Sequence, residues 1–234
     1  MIEIQELSKV YQGTTTLSVP HLRIDAGERV GLVGNNGAGK TTLFRLILDL
    51  IKASSGSVSI KGNLVHQTSD WKNFTGSYLD ERFLIGYLTA DEYFSFIGQL
   101  HALSAVEIEE RLAPLSALFS DEILGKRKYI RELSKGNQKK VGIAAALMIH
   151  PEIILLDEPF SNLDPTAQIY LKNLLTSPSV NSRTTLFISS HDLSHVTEVC
   201  DRIVVLHRGE VVRDIRTSDA TLQELNTYFT QTNP

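Results

Sequence analysis

The sequence has a single cysteine and no long apolar run, and each shortage excludes a class of protein. Cys200 has no second thiol to pair with, so an internal disulfide is excluded and a reducing compartment is expected. The longest stretch without Asp, Glu, Lys or Arg runs from Tyr93 to Val106, well short of the about 20 apolar residues of a membrane helix. The acidic start, Met1 to Glu6, does not fit a secretory signal. We therefore expect a soluble cytosolic chain.

Neither sign of charge is in strong excess. The 234 residues include 23 Lys+Arg and 27 Asp+Glu, a net charge of −4, and 42% are apolar. This composition fits one large domain or a core with a subdomain, and it argues against a disordered or fibrous chain. Basic residues gather between Lys126 and Lys140. Because the chain is net acidic, we interpret them as a solvated helix face and expect no nucleic-acid partner.

Short apolar strands alternate with helical patterns near both ends of the chain, for example at residues 29–33, 153–156 and 185–188. The middle third has helical spacing instead, opened by the capping-box pattern of Thr89 and Glu92 and continued by a predicted helix over 106–118. Buried strands alternating with helices predict an α/β fold with a mostly parallel sheet, and we expect an antiparallel part of this sheet near the N-terminus. We expect a single domain, 1–234, with a core at about 1–81 and 151–220, a helical insert at about 82–150 and a C-terminal helix at about 218–230.

A glycine-rich loop joins the first apolar strand to a helix. Residues 34–41 fit the pattern G-x-x-x-x-G-K-[ST], in which backbone N–H groups and a helix N-terminus bind phosphate. In this pattern Lys40 reaches the β- and γ-phosphates and Thr41 ligates Mg²⁺. The loop predicts the core of a phosphate-loop NTPase. Its expected ATP contacts are Gly34, Asn35, Asn36, Gly37, Ala38, Gly39, Lys40, Thr41 and Thr42.

A second apolar strand ends in two carboxylates, Asp157 and Glu158. At such a strand end, Asp157 is suited to hold Mg²⁺, and Glu158 is suited to position or deprotonate the attacking water. Together with the phosphate loop, they predict nucleotide hydrolysis. A GTPase or kinase is disfavoured because the chain has no N-K-x-D base-reading motif.

The segment Leu133 to Gln138 resembles the signature loop of ATP-binding cassette (ABC) ATPases, and the resemblance extends over nearly the whole chain. The family's usual sequence is LSGGQ; this chain keeps the leucine, serine and second glycine and replaces the other two residues. The resemblance implies that this loop contacts the γ-phosphate bound to a partner subunit. The residues expected to do so in trans are Ser134, Lys135, Gly136 and Asn137.

Three more positions match the family in the expected order. By resemblance, residues 161–164 form the D-loop, in which Asp164 links the two nucleotide sites, and His191 is the switch histidine at the γ-phosphate. Tyr11 matches the aromatic residue that stacks on adenine. One position departs from the family: a glutamine expected to contact Mg²⁺ is replaced by a carboxylate, which is either Asp80 or Glu81.

The resemblance implies a subunit that dimerises on ATP, with a homodimer as the expected pairing, and drives a separately encoded membrane permease. It places the chain on the inner face of the cell membrane through that permease. We expect a bacterial exporter, with ATP and Mg²⁺ as cofactors. The alternatives are an importer or a mechanotransmission complex. A non-transport ABC protein in translation or DNA repair is less favoured, because such proteins need tandem domains or long coiled-coil arms.

Overall fold

The computed structural model describes residues 1–119, 123–177 and 184–232. The strands are β1 (Ile2–Tyr11), β2 (Thr14–Ile24), β3 (Arg29–Val33), β4 (Ser55–Ile60), β5 (Asn63–Leu64), β6 (Thr75–Tyr78), β7 (Ile153–Leu156), β8 (Thr185–Ser190), β9 (Arg202–His207) and β10 (Glu210–Arg216). The α-helices are α1 (Lys40–Ile47), α2 (Ala90–Leu100), α3 (Ala105–Leu112), α4 (Lys135–Met148), α5 (Pro165–Thr176), α6 (Leu193–Val199) and α7 (Thr221–Thr232). The chain is therefore mixed α/β, as the sequence predicts.

Internal contacts divide the chain into two compact units, Met1–Trp71 with Arg183–Pro234, and Lys72–Ser182. In the first unit the strand order is β5-β4-β1-β2-β10-β9-β3-β8. Strands β1, β2 and β4 pair antiparallel, whereas β3 is flanked by parallel β8 and β9. The predicted antiparallel N-terminal part and parallel centre are both present.

The apolar strands of the first unit are buried because helices cover the parallel part of the sheet. Val30 and Leu32 of β3 are fully buried, and α6 packs against β3 and β8. The Phe44 ring of α1 meets the Phe187 ring of β8 edge to face, with centroids 4.9 Å apart. Such a core gives the phosphate-loop segment a rigid base.

In the second unit, β6 pairs parallel with β7, and α4 packs directly on β6. Two glycines allow this close approach. A Cβ on Gly76 would lie 2.1 Å from the Ala146 carbonyl oxygen, and one on Gly142 would lie 2.3 Å from the Tyr78 ring. Helix and strand backbones can therefore approach closely only because both positions lack a side chain.

Helices α2 and α3 both begin with a capping box. The predicted box of Thr89 and Glu92 is confirmed, and Ser104 with Glu107 forms a second one. The predicted helix over 106–118 is wrong in its second half, where a 3-10 helix, Ala113–Leu118, follows α3. Pro114 accounts for the change, since it has no N–H to donate and its ring obstructs the carbonyl of the preceding turn.

None of the helices in the described part of the chain is both long and apolar enough to cross a membrane.

Candidate active site

The loop between β3 and α1 is tightly wound. Gly37 and Gly39 have φ values of 82° and 107°, in the left-handed region that other residues rarely adopt. Gly39 is the N-cap of α1, so the helix N-terminus opens directly on the loop. Lys40, Thr41 and Thr42 form its first turn, where backbone N–H groups lack partners within the helix. This geometry is suited to binding an anion.

The turn between β9 and β10 anchors the loop. A Cβ on Gly34 would lie 2.3 Å from the Leu206 carbonyl oxygen, so the loop backbone lies directly against β9. The Gly209 N–H donates to the Ala38 carbonyl at 2.9 Å. The loop shape is therefore fixed by the sheet as well as by its own glycines.

Lys40 is buried, with 6% of its surface exposed. Its Nζ donates to the Gly34 carbonyl at 2.6 Å and lies 3.5 Å from that of Asn35. The lysine cation is thus held over the loop that precedes it, where it is suited to bind phosphate oxygens.

His191 follows β8 directly and is exposed. Val33 pairs with Ser190 across the parallel strands β3 and β8. The carboxyl ends of the two strands therefore share one edge, and His191 emerges at the same edge as the phosphate loop. Ligands of open α/β sheets bind at this type of edge.

Tyr11 lies at the end of β1 with 47% of its surface exposed. The Lys9 Nζ lies 4.9 Å from the centroid of the Tyr11 ring, a cation–π distance. That Nζ also donates to the Lys52 carbonyl at 2.6 Å, which fixes the cation. The ring is accessible to a flat ligand, and its predicted role with adenine stays a prediction.

In the second unit, Asp157 and Glu158 follow β7 as predicted. Asp157 is 5% exposed, and its backbone N–H donates to the Tyr78 carbonyl at 2.8 Å. Glu158 has a φ of 49°, in the left-handed region. Because β6 is parallel to β7, the residues after Tyr78 emerge at the same sheet end as these carboxylates.

The two candidates for the position of the family's glutamine differ in their partners. Asp80 caps the following 3-10 turn, and its side chain accepts from the Arg82 backbone N–H at 2.7 Å and from the Arg82 guanidinium. Glu81 instead lies 3.8 Å from the Lys135 Nζ. The pKa of Tyr78 is raised by burial and then by the charges of Glu81 and Asp80, so both carboxylates act on the end of β6. The two carboxylates therefore have different neighbours, and which of them takes the position of the family's glutamine stays a prediction.

The signature loop opens α4. The Ser134 hydroxyl caps the helix by accepting from the Asn137 N–H at 3.2 Å. Gly136 packs against the D-loop, where a Cβ would lie 2.6 Å from the Asn162 carbonyl oxygen. The Lys135 side chain is largely exposed. The loop is therefore built as a helix N-terminus with an accessible hydroxyl and cation.

Asp164 caps α5 and accepts from the Ala167 N–H at 2.9 Å. The Lys140 Nζ also donates to Asp164 at 2.9 Å. The Ala167 N–H and the Lys140 cation together hold the pKa of Asp164 below its usual range. The D-loop is thereby tied to the signature helix.

The interpretation of the basic segment as a solvated face is wrong for two of its residues. Lys139 and Lys140 are 5% and 7% exposed, and both have oxygen partners. Burial lowers the pKa of Lys139, while Glu81, Glu158 and Asp157 oppose that shift. Sequence reasoning missed Lys139, because its place directly after the signature loop does not show its buried partners.

The residues available for Mg²⁺ are oxygen donors, the type that this ion prefers. In the first unit Thr41 offers a hydroxyl, and in the second unit Asp157 and either Asp80 or Glu81 offer carboxylates. Across residues 1–119, 123–177 and 184–232 there is no group of three or more His, Cys, Asp or Glu suited to hold a metal. An ion bound mainly by nucleotide phosphates needs only one or two protein ligands of this type.

The chain belongs to the ABC transporter family, whose model matches residues 17–161. It is 36% identical over 214 residues to the ABC transporter ATP-binding protein NatA of Bacillus subtilis, covering 89% of this chain and 83% of NatA. It is 34% identical over 220 residues to an uncharacterized ABC transporter ATP-binding protein of Synechocystis sp., sll0415, covering 91% of this chain. The chain spans 62% of the length of that relative.

Another relative is the spermidine/putrescine import ATP-binding protein PotA of Legionella pneumophila, 32% identical over 211 residues, with 90% of this chain and 58% of PotA covered. Solved structures agree with the family. The ATP-binding cassette MJ0796, a dimer bound to ADP and Pi in a post-hydrolysis state, superimposes with a TM-score of 0.82 at 27% identity, covering 93% of this chain and 99% of that one. CbiO1 of Clostridium perfringens, part of the ABC transporter complex cbiONQ, has a TM-score of 0.77 at 25% identity, covering 99% of this chain and 94% of that one.

Proposed function

We propose that this chain is the ATP-binding and ATP-hydrolysing subunit of a membrane transporter. The observation that carries the proposal is the phosphate loop, in which buried Lys40 lies 2.6 Å from the Gly34 carbonyl at the start of a helix. A cation and a helix N-terminus at one loop favour the phosphates of a nucleotide. Tyr11 supplies a surface for the adenine base.

In the proposed reaction, a water oxygen attacks the γ-phosphorus of ATP and the bond to the β–γ bridging oxygen breaks, giving ADP and phosphate. Glu158 orients that water and accepts its proton, and His191 contacts the γ-phosphate. Thr41, Asp157 and either Asp80 or Glu81 are the proposed protein ligands of Mg²⁺. When bound, this ion supplies charge neutralisation on the phosphate oxygens.

We propose that two ABC subunits, most simply two copies of this chain, complete each ATP site together. Ser134, Lys135, Gly136 and Asn137 of one chain contact the ATP held by the phosphate loop of the other, and Asp164 couples the two sites. The capped N-terminus of α4, with an exposed Ser134, supports this role because it offers donors to an anion. The dimeric state of the related cassette MJ0796 agrees with it.

The proposed permease partner has a candidate docking surface in the second unit. Phe83, Ile85, Tyr87 and Tyr129 are 38–72% exposed there. The Arg131 guanidinium lies over the rings of Tyr87 and Tyr129, 4.4 and 5.5 Å from their centroids. Exposed aromatic side chains with an arginine are typical of interface anchors. A cytoplasmic helix of the permease is the proposed occupant, which would hold the chain at the inner face of the membrane.

For direction, we propose export. Its support is the combination of Lys135 in the signature loop with a carboxylate at the family's glutamine position. Import is the second candidate, favoured by the relative PotA. A bacterial strain lacking this chain would become sensitive to a toxic compound if the transporter exports, and would fail to grow on a scarce nutrient if it imports.

Phosphate release by the purified chain with ATP and Mg²⁺ tests the hydrolytic function. The chain is expected to release phosphate, and Lys40→Met is expected to reduce the rate by about 100-fold or more, because the phosphate charge loses its partner. Lys126→Met, at an exposed lysine outside the loop, is the control and should match the original chain. Equal rates for the original chain and Lys40→Met would contradict the proposal. Co-purification with a membrane protein of several spans tests the permease partner.

A further inference from the structure

Lys139 lies on α4, directly after the signature loop, and is 5% exposed. Its Nζ donates to the Glu158 carbonyl at 2.6 Å and to the Ser161 hydroxyl at 2.5 Å. Both partners belong to the turn that follows β7. A buried lysine cation requires such oxygen partners, so this position ties α4 to that turn.

The Glu158 backbone has a conformation that needs support. Its φ of 49° is uncommon for a residue with a side chain, and such conformations persist only when their surroundings enforce them. Three donors converge on its carbonyl oxygen: the Lys139 Nζ at 2.6 Å, the Ser161 hydroxyl at 2.9 Å and the Ser161 N–H at 3.3 Å. Of these three donors, the Lys139 Nζ is the charged one and comes from α4, whereas Ser161 belongs to the same turn as Glu158.

The backbone conformation of a residue sets the direction of its side chain. The contacts that hold the Glu158 carbonyl therefore also hold the direction in which its carboxylate points. An error of about 1 Å in a reacting group is enough to slow catalysis by about 100-fold. Fixing this one turn thus matters for the water that Glu158 is proposed to orient.

We propose that Lys139 is a positioning residue for ATP hydrolysis, which holds the Glu158 turn in its left-handed conformation and thereby aims the Glu158 carboxylate. The inference rests on the proposed role of Glu158. It assigns Lys139 an effect on turnover and none on nucleotide binding, because the hydrogen bonds of its Nζ to Glu158 and Ser161 are with the turn after β7. It also links the helix that carries the signature loop to the residue that handles water.

Steady-state hydrolysis by the full chain tests this role through kcat and KM for ATP. Lys139→Met removes the charged donor at nearly constant length and is expected to lower kcat about tenfold or more while KM changes less than about twofold. Lys139→Arg keeps a charged donor and should recover kcat to within about threefold of the original chain. Lys128→Met, at an exposed lysine, is the matched control and should leave both constants unchanged.

A double variant separates positioning from a general structural effect. If Lys139 acts through Glu158, then Lys139→Met should reduce kcat no further in a chain that already carries Glu158→Gln. An equal tenfold loss in both backgrounds would overturn the proposal, as would an unchanged kcat in the single variant. Hydrolysis by the original chain is the reference. If the original chain does not hydrolyse ATP, the proposed function is refuted. If it does and Lys139→Met is as active, only this inference is refuted.

Should Lys139→Met not fold, Ser161→Ala carries the same test. It removes the hydroxyl that accepts from Lys139 and donates to the Glu158 carbonyl. The proposal expects a lower kcat at constant KM, and again no further loss beside Glu158→Gln. An unchanged kcat would overturn it.

Discussion

Gly136 shows how tightly the signature loop is packed at the level of single residues. A Cβ there would lie 2.6 Å from the Asn162 carbonyl oxygen. This is a steric clash with backbone atoms, which have to move to make room. Gly136→Ala is therefore expected to destabilise the chain by about 1–3 kcal/mol, the usual range for overpacking, despite the better helix propensity of alanine. Urea unfolding followed by circular dichroism would measure the change.

The neighbouring Lys135→Ala is the control for Gly136→Ala. Lys135 lies in the same helical turn and is largely exposed, so its truncation should change the free energy of unfolding by less than about 0.5 kcal/mol. A stability of Gly136→Ala equal to that of Lys135→Ala would show that the D-loop backbone yields without strain.

The places of the phosphate loop and of Asp157 and Glu158 at strand ends could be predicted, because each motif is contiguous in the sequence and follows an apolar strand. The burial and hydrogen bonds of Lys139 could not be predicted, since its partners lie 19 and 22 residues further along the chain. Lysine side chains are also rarely buried, so the residue type predicted that Lys139 would be exposed to solvent. Spacing alone left Asp80 and Glu81 both open, and in the structure they have different partners, Arg82 and Lys135.

At the level of elements, the predictions that were confirmed depended on hydrogen bonds between residues close in sequence. The capping box at the start of α2 depends on two residues three apart, Thr89 and Glu92, and it formed as expected. The 3-10 segment after α3 was missed because apolar spacing continues through Pro114 while the helical hydrogen bonds do not. Periodicity reports which face is buried, and it does not report which backbone groups are paired.

The capping boxes provide the test at this scale. Thr89→Ala removes the hydroxyl that accepts from the Glu92 N–H at 3.3 Å and leaves that donor without its cap. The expected loss is about 0.5–2 kcal/mol in the free energy of unfolding, and Ser104→Ala should give a loss of the same size at α3. Urea unfolding of the three proteins would measure both.

Thr227→Ala is the matched control for the capping variants, because Thr227 is an exposed threonine inside α7 and not at its start. Alanine is the better helix former there, so this variant should be neutral or slightly stabilising. Equal losses at Thr89 and Thr227 would mean that the capping contacts contribute nothing specific.

At the level of the whole molecule, the proposed site is divided between chains, and this division predicts an oligomer that depends on nucleotide. Lys40 and Ser134 are proposed to lie on opposite sides of one ATP, so bound ATP is expected to stabilise a dimer and its hydrolysis to let the subunits separate. Glu158→Gln removes the carboxylate proposed to activate water and leaves the phosphate contacts in place. This variant is therefore expected to bind ATP and remain dimeric.

Size-exclusion chromatography with light scattering would measure the state of Glu158→Gln. With ATP and Mg²⁺ its mass should be twice the 26.0 kDa of the chain, and with ADP it should be that of one chain. Adding Lys40→Met to the same chain should restore the single-chain mass in ATP, because the nucleotide is then no longer held. If Glu158→Gln binds ATP and still elutes only as a single chain, then two copies of this chain do not share the nucleotide. Pairing with a different ABC subunit would then be the arrangement to test.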